Sequence, residues 1–146
     1  MNINIRMATP ADFSSVLALL KDFSVFQKTP EKVTITLEQM ENDWNLFTCF
    51  VAENNAQQII GFATFYFTYN SWSGKGLYLD DLYVEEKYRK HKIGSRLLYK
   101  VIDFAKKENC KRLRWLVSKW NTNAIDFYKK IGAVIEETEM MCDLKL

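Results

Sequence analysis

Residues 77–105 read LYLDDLYVEEKYRKHKIGSRLLYKVIDFA, and the fold is decided there. Leu77 to Val84 predicts a strand. Glu85 to Lys92 is a basic loop. Gly94 opens an amphipathic helix, with Ile93, Leu97, Leu98, Val101, Ile102 and Ala105 on one stripe and Arg96, Lys100, Asp103 and Lys107 facing away. Leu113 to Ser118 reads as the next strand. This strand–helix–strand crossover requires a sheet with a helix on its face.

Working outward, the N-terminal half adds antiparallel pieces. Asn2 to Met7 alternates and predicts a strand. Thr9 before Pro10 is a helix start, and Phe13, Val16, Leu17, Leu20 and Phe23 follow at helical spacing. A shorter helix is expected over Leu37 to Trp44. Phe47 to Glu53 and Ile59 to Tyr69 form a hairpin across the turn Asn54 to Gln57. Asn70 to Gly76 is a second turn. On the C-terminal side, Asn121 to Lys130 predicts a helix stopped by Gly132, and Ala133 to Glu137 and Met140 to Leu146 predict closing strands. The expectation is one mixed α/β domain over 1–146, with a largely antiparallel sheet of about seven strands and about four helices.

The composition bounds the function. The chain has 146 residues, and its 20 basic and 18 acidic residues leave a net charge of +2. That balance lacks the basic excess of a nucleic-acid binder. The aromatics needed for base stacking do not interleave with the patch from Lys87 to Arg96, apart from Tyr88. Cys49, Cys110 and Cys142 are far apart and odd in number, and His91 is the only histidine. Reduced thiols and no metal site are expected. No segment has the run of about 20 apolar residues that spans a bilayer, and Met1 to Met7 lacks the apolar run of a signal peptide. A cytoplasmic protein without membrane partners is therefore expected.

The crossover loop carries the first chemical signal. A strand ending at Val84, a loop and a helix opening at Gly94 aim several backbone N–H groups at one point, with the helix dipole behind them. Lys87, Arg89, Lys90 and Lys92 add positive charge. A diphosphate is the natural guest. His91, the one histidine, sits in a solvated loop, and that place makes it a bystander to proton transfer.

The run Arg89-Lys90-His91-Lys92-Ile93-Gly94 after Val84 resembles the acetyl-CoA motif of the GNAT superfamily of acetyltransferases. Residues Trp120 to Ala133 resemble its asparagine, tyrosine and Gly-Ala segment. Tyr66 to Trp72, Tyr78 to Val84 and Ile93 to Ser95 resemble blocks of its diamine acetyltransferase group, which acetylates spermidine, spermine or thialysine. The resemblance covers Ile5 to about Val134. It implies acetyl-CoA as co-substrate, a small amine as acceptor, a homodimer, and no metal. It further implies that Leu82, Tyr83 and Val84 on the strand, Arg89, Lys90, His91, Lys92, Ile93, Gly94 and Ser95 in the loop, and Asn121 and Ala124 on the later helix contact acetyl-CoA.

Four departures from the pattern bear on function. Lys92 stands where the motif has its first glycine. Asp80 replaces the strand glutamate of polyamine acetylases. Asn70 stands for their aspartate before the tryptophan turn, and Lys28 lies in their acidic stretch. Losing acidic partners disfavours a polyamine and points to a smaller amine.

Direct attack on a thioester needs a neutral amine, a polarised carbonyl and a proton for the leaving thiolate. An alkylammonium with a pKa near about 10.4 must lose a proton first. Asp80 and Asp81 are the candidates to hold the cation, with strand alternation putting one carboxylate on each side. The resemblance favours Asp80 as the base, acting through water, an N–H freed from sheet pairing at Leu82 for the carbonyl, and Tyr128 as the acid. Trp72 and Trp120 are core or walls of the amine site. No cysteine is flanked by an activating base, so no acetyl-enzyme is expected. The alternatives are a protein N-terminal or lysine acetyltransferase of the same fold, or a CoA-binding regulatory module without catalysis.

Overall fold

The computed structural model describes residues 1–146. The chain packs as two compact units, Met1–Trp115 and Leu116–Leu146.

The first unit is built on a sheet in the order β1 (Asn4–Met7), β2 (Thr48–Glu53), β3 (Ile59–Asn70), β4 (Gly74–Val84), β5 (Leu113–Arg114). Neighbours through β4 are antiparallel. The crossover through α3 (Ile93–Lys107) makes β5 parallel to β4. Thr9 and Asp12 cap the first turn reciprocally with Pro10 inside it, and α1 (Phe13–Phe26) follows. Helix α2 (Leu37–Asn42) is closed at its start by Thr36 and Gln39 in the same way.

Alternation along β3 sends Phe62, Thr64 and Tyr66 to one face, and Ala63, Phe65 and Phe67 to the other. The first face meets α1 and α2, where Phe13, Val16, Leu19, Met40, Cys49, Val51, Phe62 and Tyr83 form one buried cluster. The second face meets α3, whose Phe104 ring lies 5.1 Å from Phe65 and 5.9 Å from Phe67. On the same face Gly61 leaves room for β4 and for Leu97 of α3, because a Cβ there would lie 3.0 Å from the Tyr83 carbonyl oxygen, 3.2 Å from Val84 Cγ2 and 3.4 Å from Leu97 Cδ1.

The second unit contains α4 (Thr122–Lys130), followed by Gly132 at φ +97°. The mixed α/β architecture expected from sequence is present, with five strands instead of about seven. The strand expected over Leu113 to Ser118 shortens to Leu113–Arg114, and the segments Ala133 to Glu137 and Met140 to Leu146 are not strands. A strand exists only when a neighbour supplies backbone partners, and no strand pairs with these segments. Val134, Met140 and Leu144 remain exposed at 88%, 92% and 83%.

Candidate active site

The site in the first unit begins with an irregularity in β4. Asp81 is paired with Thr64, but Leu79 is paired with the adjacent Phe65, so Asp80 is an extra residue in a β-bulge. Leu79 faces α3 with its partner Phe65, and Leu82 does so with Ala63. The two residues between them therefore share the opposite face. This corrects the expectation that one aspartate faces each side: strict alternation fails where a bulge inserts a residue.

The two carboxylates differ in surroundings. Asp81 Oδ2 accepts a hydrogen bond from Thr64 Oγ1 at 2.5 Å. Burial, reinforced by the charge of Asp80, pushes its carboxyl from the ordinary 3.8 up to about 6, against the opposing bond from Thr64. Asp80 is exposed, yet partial desolvation holds its carboxyl above the ordinary value. Beside it stand Tyr66 and Tyr78, paired across the strands with ring centres 5.3 Å apart. Burial first, then the charge of Asp80, raises both phenols.

Past the bulge, β4 has an open edge. It pairs with β5 only at Leu77 and Tyr78, and strand pairing on that side ends there. Glu85 N–H donates to the Ile60 carbonyl of β3 at 2.9 Å. Stepping back in alternation, Tyr83 and Asp81 also point to β3. Leu82 and Val84 point the other way, toward the edge without a strand partner.

At the end of β4 the chain turns into the loop before α3. Lys90 and Lys92 both adopt left-handed backbone, at φ 71° and 60°. That conformation costs a non-glycine residue about 1–2 kcal/mol. Lys92 is the N-cap of α3 and no side chain caps this helix, so the N–H groups of Ile93, Gly94 and Ser95 have no intrahelical acceptor. Left-handed turns feeding an uncapped helix start form an anion-binding concavity. Lys90, His91 and Lys92 are exposed around it. The donor set fits a diphosphate.

Arg89 is engaged within the protein. Its Nε donates to the Val84 carbonyl at 2.9 Å, and its guanidinium carbon lies 4.6 Å from the Phe26 ring centre and 5.2 Å from that of Tyr83. Arg89 thus ties α1, β4 and the loop together. Lys87 pairs with Glu85 at 3.3 Å, and Arg96 donates to the Ile3 carbonyl at 2.8 Å.

Trp72, in the turn between β3 and β4, is fully exposed. In the second unit, Asn121 is the N-cap of α4 and its Oδ1 accepts from Ala124 N–H at 3.4 Å. The expected cofactor contacts Asn121 and Ala124 are thus joined in a helix cap. Trp120 is 47% exposed. Tyr128 is half-buried, its ring centre 5.8 Å from that of Phe127, and burial raises its hydroxyl above the ordinary value.

Thr64 was not legible as a site residue. A sequence signal for the bulge exists all the same: the apolar residues Leu77, Leu79, Leu82 and Val84 keep one face only if an extra residue stands between Leu79 and Leu82.

The first unit thus sets a basic, left-handed loop between a strand and a helix beside an open strand edge with two aspartates. Residues 13–133 match the model of the acetyltransferase (GNAT) family, and the chain belongs to that family. It is 32% identical over 142 residues to thialysine N-epsilon-acetyltransferase of Bos taurus, covering 90% of this chain and 84% of that protein. It is 34% identical over 140 residues to spermidine/spermine N(1)-acetyltransferase-like protein 1 of Homo sapiens, covering 89% of this chain and 20% of that longer protein. The crystal structure of an aminoglycoside acetyltransferase from an uncultured soil metagenomic sample, in complex with trehalose, superposes with a TM-score of 0.81 at 21% identity, over 99% of this chain and 96% of that one. At that identity the likeness is one of fold.

Proposed function

We propose that this acetyltransferase moves the acetyl group of acetyl-CoA to the primary amine of a small, amino-acid-like molecule by direct attack. The observation that carries this reading is the bulge that sets Asp80 and Asp81 on one face of β4, beside the open edge at Leu82. Two carboxylates there suit a cationic amine. The loop Lys90 to Ser95 would hold the diphosphate of acetyl-CoA, with Val84 along its pantetheine arm. When bound, acetyl-CoA supplies an activated acetyl as a thioester.

In this reading each residue has one task. Asp80 binds the ammonium and takes its proton through water, which restores the nucleophilic lone pair. Its raised carboxyl pKa brings it nearer to that of a base working at neutral pH. The Leu82 N–H donates to the oxygen on which charge develops. Tyr128 gives a proton to the leaving thiolate. Cys49 is unsuited to carry an acetyl group, because burial pushes its thiol to about 12 and keeps it protonated.

The acceptor class draws support from the Bos taurus relative, whose name gives thialysine as its substrate. Asn70 and Lys28, at positions that are acidic in polyamine acetylases by resemblance, disfavour spermidine. The family match over residues 13–133 reaches into both compact units, which supports one catalytic domain over 1–146. A cytoplasmic homodimer rests on the resemblance and on a chain in which no helix is long and apolar enough to cross a membrane.

The deciding experiment measures free thiol release from acetyl-CoA with lysine analogues, ornithine-like diamines, spermidine and a peptide N-terminus. Turnover is expected with amino-acid amines, and Asp80→Asn should lower it by roughly 10²–10⁴-fold. Spermidine as the best acceptor would overturn the substrate class. A peptide as the best acceptor would move the enzyme to protein acetylation.

A further inference from the structure

Asp81 is more enclosed than Asp80, and no arginine or lysine forms an ion pair with it. Its partner is a neutral hydroxyl. Cys49, Thr64 and Asp81 lie in one row across β2, β3 and β4, since Cys49 is paired with Thr64 and Thr64 with Asp81. Thr64 is 7% exposed, and the strand register leaves its hydroxyl pointed at Asp81.

We propose that Thr64 is a positioning residue of the amine site, donating to Asp81 Oδ2 so that this carboxylate stands as a second anion beside Asp80. The inference rests on the amine-acetylating function proposed above. It concerns how many negative charges an incoming ammonium meets. With Thr64 in place, the Asp81 carboxylate is held toward its ionised form at neutral pH, beside Asp80. Without a donor, a buried carboxylate next to another is the first to take up a proton.

The surroundings leave Thr64 as the group that opposes protonation. Asp80 and Tyr78 approach Asp81 from β4 itself, and Cys49 from β2. The charge of Asp80 favours a protonated Asp81, and Cys49 is a thiol. Among the residues of α1, Lys21 and Asp22 form no ion pair with Asp81, and Glu38 and Glu41 of α2 are exposed acids. Burial raises Asp81, and the Thr64 bond acts in the opposite direction.

The test uses the full chain with Thr64→Val, which keeps the shape and removes the donor, and Thr64→Ser, which restores it. Carbon NMR of labelled aspartate side chains follows Asp81 directly, and KM for the amine is measured across pH. Wild-type Asp81 should titrate near about 6. Thr64→Val should move this up by about one unit, so that KM at pH 6 rises about fivefold with a smaller change in kcat. Thr64→Ser should return both toward wild type. Melting curves identify a variant that has lost its fold, in which case the serine variant must match wild type in both readouts for the inference to stand. An Asp81 titration unmoved in Thr64→Val overturns the inference, as does a moved titration with an unmoved KM profile. A wild-type protein that acetylates no amine fails the proposed function instead, a result the NMR titration does not depend on.

Discussion

The Arg89 Nε donates to the Val84 carbonyl oxygen at 2.9 Å, across the corner where β4 gives way to the basic loop before α3. With Phe26 and Tyr83 flanking the guanidinium, this bond makes Arg89 a strut of the loop.

Arg89→Lys keeps the charge but loses the planar fork and its fixed Nε donor. One bond and part of two cation–π contacts are worth about 1–2 kcal/mol. Acetyl-CoA affinity should therefore fall roughly 5- to 30-fold in a calorimetric titration, with kcat at saturation nearly unchanged. Equal affinity in the two proteins would show that Arg89 does not shape the loop.

Lys92 holds a left-handed conformation at φ 60°. Lys92→Gly and Lys92→Ala both delete the cation, but only glycine relieves the backbone. The glycine variant should be more stable than the alanine variant by about 1 kcal/mol in denaturant unfolding. Both should show a shallower salt dependence of acetyl-CoA binding than wild type. Equal stability of the pair would mean the strain is absent in solution.

Tyr128→Phe removes one hydroxyl and keeps the ring. Since burial raises the Tyr128 pKa, the hydroxyl is protonated at neutral pH, as a proton donor must be. Single-turnover acetyl transfer should fall by roughly 10²–10⁴-fold, and acetyl-CoA affinity should change much less. A folded variant that retains more than about a third of the rate would remove Tyr128 from the mechanism.

Asp81 links pH to stability. Its folded pKa, about 6, lies above the ordinary 3.8. The native state thus binds the extra proton between those values, and the associated stability is present below about 4 and lost as pH rises through 6. Asp81→Asn cannot ionise and escapes that loss. The melting temperature of Asp81→Asn relative to wild type should rise from pH 4.5 to pH 8. Asp12, whose carboxyl the Arg6 bond holds low, is common to both proteins and cancels. A difference that stays constant or falls with pH would contradict a buried, raised Asp81.

Much of the site could be read before folding because its signals are local. The pattern of Ile93, Leu97, Leu98, Val101 and Ala105 is one face of a helix by spacing alone, and all five are buried in α3. Thr9 and Pro10 start a helical turn because cap and φ preference act within a few residues. The aspartates were visible as costly charges in an apolar strand. Their shared face was harder to see, because it depends on which β3 residue each one pairs with.

What the sequence by itself determined, then, was the order of helices and strands through α4, the crossover at the basic loop, and residue types that suit an amine and a diphosphate. Periodicity, capping and charge are short-range properties carried by neighbouring residues. Only the tertiary structure decided that Thr64 reaches Asp81, that Arg89 is held between Phe26 and Tyr83, and that Lys90 and Lys92 turn left-handed. The same holds for the end of the chain, where the segments expected to be strands found no strand partner. Each of these depends on a register or contact between segments distant in sequence, or on a backbone geometry imposed by such contacts, and pairing energy is set by both partners together.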